Sequence, residues 1–173
     1  HEVPSQCSNC IFKLMRDNKV EINLDICLAL MEGWTNLGRK KYSRRDVETE
    51  ERMWRAGMDK AFQKYQLKRN AKYFQLWIKK CTQGSTTVPS RVEEILEEMD
   101  ELKVCPNEAS IATILDVKCK SDPASGEPWL LKVKERYNVS PTHYMFKSIV
   151  NGYTTQLQMT KHLTPSARRE IAE

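Results

Sequence analysis

Two nine-residue stretches of the chain share the frame M-x-x-x-K-V-x-x-N, and this feature constrains the fold more than any other. The stretches are MRDNKVEIN, at 15–23, and MDELKVCPN, at 99–107. A frame that recurs along one chain indicates a repeated structural unit, and the fold is then an array of similar elements. The residues on either side of the two stretches should therefore repeat as well.

The residues before the second stretch predict an amphipathic helix. Four apolar residues follow the spacing i, i+3, i+4, i+7, which places them on one side of a helix: Val92, Ile95, Leu96 and Met99. Pro89 and Ser90 favour a helix start, and the Cys-Pro-Asn run at 105–107 favours a stop. The pattern returns 35 residues later and 84 residues earlier, where two other apolar pairs take the places of Ile95 and Leu96: Leu130 with Leu131, and Ile11 with Phe12.

Another helix is predicted after each turn. Three apolar residues that follow the turn at 104–107 recur 35 residues further on: Ile111, Ile114 and Leu115 become Phe146, Ile149 and Val150. Similar segments begin at 24 and at 70, and the segment at 70 precedes the next copy by 38 residues. The chain thus divides into the second helix of a leading repeat, at about 4–23, and four repeats at about 24–69, 70–107, 108–142 and 143–173.

The connections between the predicted helices differ in length. The first full repeat carries about a dozen extra residues around 39–47, before a long helix from about Asp46 to Lys68. The shorter connections at 82–87 and 121–126 are rich in Gly, Ser and Thr. Such a composition is typical of loops between the helices of one hairpin.

The residues around the second stretch resemble a known repeat family. The run RVEEILEEMDELKVCPNEASIATILD, at 91–116, resembles the pentatricopeptide repeat pattern, in which a helix reading like V-E-E-A-L-E-L-F-E-E-M precedes a turn ending in Pro-Asp or Pro-Asn. The next helix of that pattern opens like V-T-Y-N-T-L-I-D-G, which the segments at 73–76, 111–116 and 146–152 fit. The resemblance covers nearly the whole chain. Tetratricopeptide repeats are the nearest rival, but their Trp, Gly and Tyr signature positions are not evident here.

The resemblance implies an all-α fold, an α-α superhelix in which helical hairpins stack as a right-handed solenoid. Each hairpin buries its apolar side against its neighbours. The helices after the turns would line the concave face, and the helices before them would form the outer wall. The expected core residues are Leu76, Trp77, Ile114, Leu115, Ile149 and Val150. Four residues of the long helix also share one side and are expected to pack rather than to hold a cofactor: Trp54, Met58, Phe62 and Tyr65.

The resemblance also implies binding of single-stranded RNA, about one base per repeat. In the family, the base is read by the fifth residue of the helix after the turn together with the last residue of the unit. The matching fifth positions are Leu28, Phe74, Ala112 and Lys147, and the matching last positions are Arg69, Asn107 and Thr142. Family readers usually have Asn, Ser or Thr at the fifth position, because a short polar side chain can hydrogen-bond a base edge. This chain departs from that pattern, so we do not expect it to read bases by the family's code.

Two hypotheses follow from this resemblance. In the first, an organellar protein holds RNA by charge and stacking; its candidate contacts are Lys72, Phe74, Lys79, Lys80, Asn107, Ala112, Thr142 and Lys147. In the second, the solenoid is a protein-binding scaffold subunit of a large organellar assembly, and its groove holds a peptide or helix. Both hypotheses predict a mitochondrial or plastid location without choosing between the two.

The charge of the chain is compatible with an anionic partner but does not require one. The net charge is +5 in 173 residues, with basic clusters such as 39–41, 44–45 and 79–80. Such clusters are also typical of solvated helix faces. No apolar run approaches the ~20 residues of a membrane span. The chain has neither an initiator Met nor a signal-like apolar stretch at its N-terminus, which predicts a processed product or a fragment.

The six cysteines leave a third hypothesis open, a secreted helical protein linked by disulfides. The other interpretation is buried or unreactive thiols in a reducing compartment. Cys7 and Cys10 form a C-x-x-C motif, but no second such motif or spaced His pair follows, so we expect no metal site. No nucleophile, base and orienting group recur at a recognisable spacing, and no glycine-rich phosphate loop is present. We therefore expect no enzyme activity, no cofactor and no small-molecule substrate.

Overall fold

The computed structural model describes residues 4–36, 44–82 and 89–161, and regular structure within these ranges is helical throughout. The prediction of an all-α fold is confirmed. The described ranges contain eight α-helices: α1 (Pro4–Asp17), α2 (Leu24–Asn36), α3 (Arg44–Lys64), α4 (Ala71–Thr82), α5 (Pro89–Glu101), α6 (Glu108–Ser121), α7 (Gly126–Tyr137) and α8 (His143–Lys161). A short 3₁₀ helix, Pro123–Ser125, joins α6 to α7.

The end of every odd-numbered helix has the same backbone geometry. A residue in the left-handed region follows the helix, with φ between 51° and 56°: Lys19, Gln66, Lys103 and Asn138. In the first three cases the next amide donates to a carbonyl five residues back, from Val20 to Met15, from Leu67 to Phe62 and from Val104 to Met99, at 2.8–2.9 Å. This is the Schellman arrangement, which satisfies carbonyls that a helix end would leave without donors.

The next helix begins in a repeated way as well. Four residues after each left-handed residue stands an N-cap, and at three of these positions it is an asparagine whose side-chain oxygen accepts an amide N–H three residues on. The distances are 3.1 Å for Asn23, 3.0 Å for Asn70 and 2.9 Å for Asn107. Thr142 holds the fourth position. The frame M-x-x-x-K-V-x-x-N therefore encodes one turn, with the Met as carbonyl acceptor, the Lys in the left-handed conformation and the Asn as N-cap.

The chain forms two compact units, residues 1–86 and 87–173. In the first unit α1 packs against α3 and α2 packs against α4. Its core is aromatic: the Trp34 ring stacks on Trp54 with centroids 4.9 Å apart and meets the edge of Trp77 at 5.2 Å. Tyr73 and Phe74 continue this cluster and are 0% and 1% exposed.

In the second unit α6 lies at the centre and packs against α5, α7 and α8. The apolar core of this unit contains Ile111, Leu115, Cys119, Leu130, Val133 and Met145. Gly152 of α8 lies against the backbone of Cys119, so that these two helices approach each other closely.

Most of the predicted core residues are buried as expected. Leu76, Trp77, Ile114 and Leu115 are at most 4% exposed, and so are Trp54, Met58 and Phe62, whereas Tyr65 and Ile149 are half-buried. The prediction for Val150 is wrong, because its side chain is 61% exposed.

Two predicted boundaries also differ from the structure. The long helix ends at Lys64 rather than near Lys68, because Gln66 adopts the left-handed conformation. The connection at 121–126 is a 3₁₀ helix capped by Asp122, whose carboxylate accepts the amide N–H of Ala124 at 3.1 Å. Of the connection predicted at 82–87, residues 83–87 lie outside the described residues.

Candidate functional site

Two of the predicted RNA contacts lie in the interior of the first unit. Phe74 is 1% exposed, so its ring packs in the aromatic core and is not available to stack on a base. Lys80 is 5% exposed; its Nζ lies 4.4 Å from the centroid of the Trp34 ring and donates to the Trp34 carbonyl oxygen at 3.3 Å. In this conformation both side chains are used in packing, which does not support the prediction that Phe74 and Lys80 contact RNA.

The other two predicted lysines of the first unit reach its surface but have partners. The ammonium of Lys72 lies 3.7 Å from a carboxylate oxygen of Glu32, and both side chains are partly exposed. Lys79 donates to the side-chain oxygen of Asn36 at 3.0 Å. Surface interactions of this kind contribute little free energy and are easily exchanged, so neither contact removes these lysines from consideration.

In the second unit, two of the four predicted residues serve the repeated turn. Asn107 caps α6 and also accepts a hydrogen bond from the Ser110 hydroxyl at 2.9 Å. The Thr142 carbonyl oxygen accepts the amide N–H of Met145 at 3.0 Å at the start of α8. Ala112 is half-buried and Lys147 is exposed. Side-chain capping thus explains the Asn at 107, whereas the bond at 142 uses only the backbone carbonyl and does not require a Thr.

A groove between α1 and α3 is the strongest candidate site in the first unit, and the sequence analysis missed it. Its volume is about 520 Å³. We call it the basic groove, and its lining residues are Phe12, Lys13, Arg16, Met53, Trp54, Gly57, Met58, Lys60, Ala61, Lys64 and Tyr65. Trp54, Met58 and Ala61 are the buried members of this set, and Phe12 and Tyr65 are half-buried.

The charge of the basic groove has one sign. Four cationic side chains line it and no carboxylate does: Lys13, Arg16, Lys60 and Lys64. All four are exposed, and none forms an ion pair with another described residue. The spacing i, i+3 on α1 and i, i+4 on α3 brings each pair onto one side of its helix. The sequence therefore indicates two pairs of cations, each on one side of a helix, but only the packing of α1 against α3 brings the two pairs together.

The lining of the groove also includes an unsatisfied donor. The indole Nε1 of Trp54 is buried and has no acceptor among the described residues. Burying an N–H without an acceptor costs about 1–3 kcal/mol. The basic groove thus combines four exposed cations with the half-buried rings of Phe12 and Tyr65, which are groups that suit an anionic ligand with flat rings.

A second groove, between α5 and α7 in the other unit, is mainly acidic. Its volume is about 610 Å³, and the charged residues that line it are Glu93, Glu97, Asp100, Lys132, Glu135 and Arg136. Glu93 accepts from Lys118 at 2.8 Å. Asp100 accepts from Arg136 and from the Tyr137 hydroxyl, the latter at 2.8 Å. These carboxylates hold the helices together, and the groove offers no comparable set of unpaired cations.

Five of the six cysteines are not part of a disulfide bond: Cys10, Cys27, Cys81, Cys105 and Cys119. The side chain of Cys7 lies outside the described residues. The third hypothesis requires disulfide bonds, and none joins any two of these five cysteines. Among the described residues, no group of three or more His, Cys, Asp or Glu side chains is placed to hold a metal ion.

Burial raises the pKa of several groups in both units. Desolvation raises the pKa of the Cys27 thiol to about 11. It also raises the pKa of Tyr73, assisted by the Asp59 carboxylate, and that of Tyr137 to about 12, where the hydrogen bond to Asp100 adds to the effect. The pKa of Cys119 is raised for the same reason. Each of these groups stays protonated and neutral in the folded chain near neutral pH.

We expect folding stability to fall in alkaline solution, partly through Cys27. Because its pKa is about 11 in the folded chain and near 9 without burial, the stabilisation is complete below pH 9 and is lost as the pH rises towards 11. At a pH of about 10.5 the loss should be roughly 2 kcal/mol for this thiol. Urea denaturation at pH 8 and at the alkaline pH measures it. Cys27→Ala should lose less stability between the two pH values than the wild type does. The control Cys10→Ala, at an exposed cysteine, should lose as much as the wild type. Equal losses in all three proteins would contradict the contribution of Cys27.

No described helix is long and apolar enough to cross a membrane. No protein-family model, no curated protein and no solved structure matches the chain.

Proposed function

We propose that this protein is a helical-repeat binding module of the pentatricopeptide type that associates with single-stranded RNA by charge and stacking, in a mitochondrion or plastid. The observation that carries the RNA-binding proposal is the basic groove: among the described residues, its four lining cations have no ion-pair partner and no carboxylate lines it. Phosphates of a single strand would contact these cations, and bases would stack on the half-buried rings of Phe12 and Tyr65. Because neither contact reads a base edge, binding would depend weakly on sequence.

Two further observations support the repeat part of the proposal. The same turn recurs after α1, α3, α5 and α7. Within each unit, a helix packs against the second helix after it in the chain, as α1 packs against α3, α2 against α4 and α6 against α8. This is the neighbour pattern expected of hairpins stacked into a right-handed solenoid.

The salt dependence of binding tests the RNA part of the proposal. For a labelled single-stranded RNA, four phosphate contacts predict a slope of log affinity against log salt of about −3, or roughly 50-fold weaker binding between about 50 and 200 mM salt. The double variant Lys60→Glu/Lys64→Glu should bind more weakly and should lose about half of that slope. Fluorescence anisotropy across a salt series measures both quantities.

A charge-matched control separates the groove from the overall charge. Lys132→Glu/Lys134→Glu changes the net charge equally, on exposed residues of α7, and should leave affinity and slope near the wild-type values. Equal losses in the two double variants would mean that RNA binds through diffuse charge rather than the groove. Absent or salt-insensitive binding by the wild type would overturn the RNA proposal and would favour the protein-scaffold hypothesis.

A further inference from the structure

One side of α8 presents a stripe of large apolar residues to solvent. The spacing i, i+4, i+7, i+11 places them on one face of the helix, and they are Phe146, Val150, Tyr153 and Leu157, which are 54%, 61%, 45% and 64% exposed. We call this set the α8 stripe. Exposed apolar patches of this kind usually mark a surface that another element covers.

The same unit shows how the equivalent residues of α6 are covered. Ile111 and Leu115 precede Phe146 and Val150 by 35 residues and are 1% and 0% exposed. They belong to one apolar cluster with Leu130 and Val133, both on the helix that follows α6. Residues of α7 thus take part, together with α8, in covering the corresponding positions of α6.

The residues that follow α8 carry the sequence of such a covering segment. Residues 162–173 lie outside the described residues, but 165–173 reads PSARREIAE and 89–97, at the start of α5, reads PSRVEEILE. Five of the nine positions are identical, and Ile171 falls on Ile95. Since Ile95 corresponds to Leu130 at the 35-residue spacing, Ile171 corresponds to a residue of the apolar cluster that contains Ile111 and Leu115. The segment departs from α5 at Arg168, where α5 has the buried Val92.

We infer that the α8 stripe is the docking surface for residues 165–173 of the same chain, with Ile171 covering Phe146 and Val150. The inference rests on the match between 165–173 and 89–97, which places Ile171 41 rather than 35 residues after Leu130, and it does not depend on RNA binding. It assigns to the α8 stripe an intramolecular occupant, so this surface would not be the site of a protein partner.

Hydroxyl-radical footprinting of the full chain, read residue by residue by mass spectrometry, tests this inference. If residues 165–173 cover the stripe, Phe146 is oxidised severalfold more slowly than Tyr144, although the two rings have similar exposed fractions, 54% and 63%, in the described residues. Tyr144 is the internal reference because it lies on another face of α8. In Ile171→Ser, Phe146 oxidation rises severalfold while Tyr144 oxidation stays the same. The control Glu173→Ser, which corresponds to the exposed Glu97, keeps the wild-type protection.

Three outcomes would overturn the inference. Equal oxidation of Phe146 and Tyr144 in the wild type would mean that the stripe is uncovered. Protection that increases with protein concentration, together with a doubled mass in solution, would assign the stripe to a second copy. Protection that Ile171→Ser does not change, with the circular-dichroism spectrum preserved, would assign it to another occupant. The wild-type comparison remains decisive if Ile171→Ser fails to fold.

Discussion

Trp34→Ala should lower the free energy of unfolding by about 3–5 kcal/mol, the range for removing a large aromatic side chain from a packed core. Trp34 is 2% exposed and contacts two other tryptophans. Its ring also lies under the buried ammonium of Lys80, at 4.4 Å from the centroid. The substitution therefore leaves a cavity and also removes the ring that stabilises a desolvated charge.

Urea denaturation followed by circular dichroism measures this loss. Met53→Ala, on the exposed side of α3, is the control; Met53 is 55% exposed, and its removal should change the free energy of unfolding by no more than about 0.5 kcal/mol. A loss below about 1 kcal/mol for Trp34→Ala would show that the three tryptophans do not form the packed core of the first unit.

Gly152→Ala should destabilise the second unit by about 1–3 kcal/mol. A Cβ atom at this position would lie 2.6 Å from the carbonyl oxygen of Cys119 and 2.8 Å from its Cβ. One of these atoms belongs to the helix backbone and cannot rotate away. The substitution would therefore force α8 away from α6 and loosen the apolar cluster between them.

Two other helical glycines provide the control for Gly152→Ala. Gly33 and Gly57 are exposed, and an added Cβ would meet nothing within 4 Å at either position. Replacing either by Ala should stabilise the chain by about 0.5–1 kcal/mol, because Ala restricts the unfolded chain and favours the helix. Thermal denaturation measures the change in stability for each substitution. If α6 and α8 approach closely, Gly152→Ala lowers the stability, whereas Gly33→Ala or Gly57→Ala raises it. A stabilising Gly152→Ala would contradict the close approach.

Helices and turns were predictable because their determinants are local. The apolar spacing of Val92, Ile95 and Met99 predicted α5, and the frame K-V-x-x-N predicted the turns at 19–23 and 103–107. The turn depends on bonds between residues a few positions apart, such as the Val104 amide to the Met99 carbonyl at 2.8 Å and the Ser110 amide to Asn107 at 2.9 Å. A short run of residues contains every group that these bonds need.

The accessibility of individual side chains was not predictable in the same way. Phe74 and Lys80 occupy positions that suggest RNA contacts, yet both lie in the core of the first unit. Ile111 and Phe146 occupy equivalent positions of the repeat and have opposite burial, 1% and 54% exposed. Burial depends on which other element covers a residue, and the pattern around the residue does not contain that information.

The order and type of the elements in this protein thus follow from its amino-acid pattern, since helix periodicity, caps and left-handed turn residues act over fewer than about ten residues. The candidate binding site follows only from the fold. Lys13 and Arg16 are far from Lys60 and Lys64 along the chain. Nothing in the sequence indicates that the two pairs of cations lie close together. The packing of α1 against α3 places these cations around one groove, because tertiary contacts join segments that no local pattern connects.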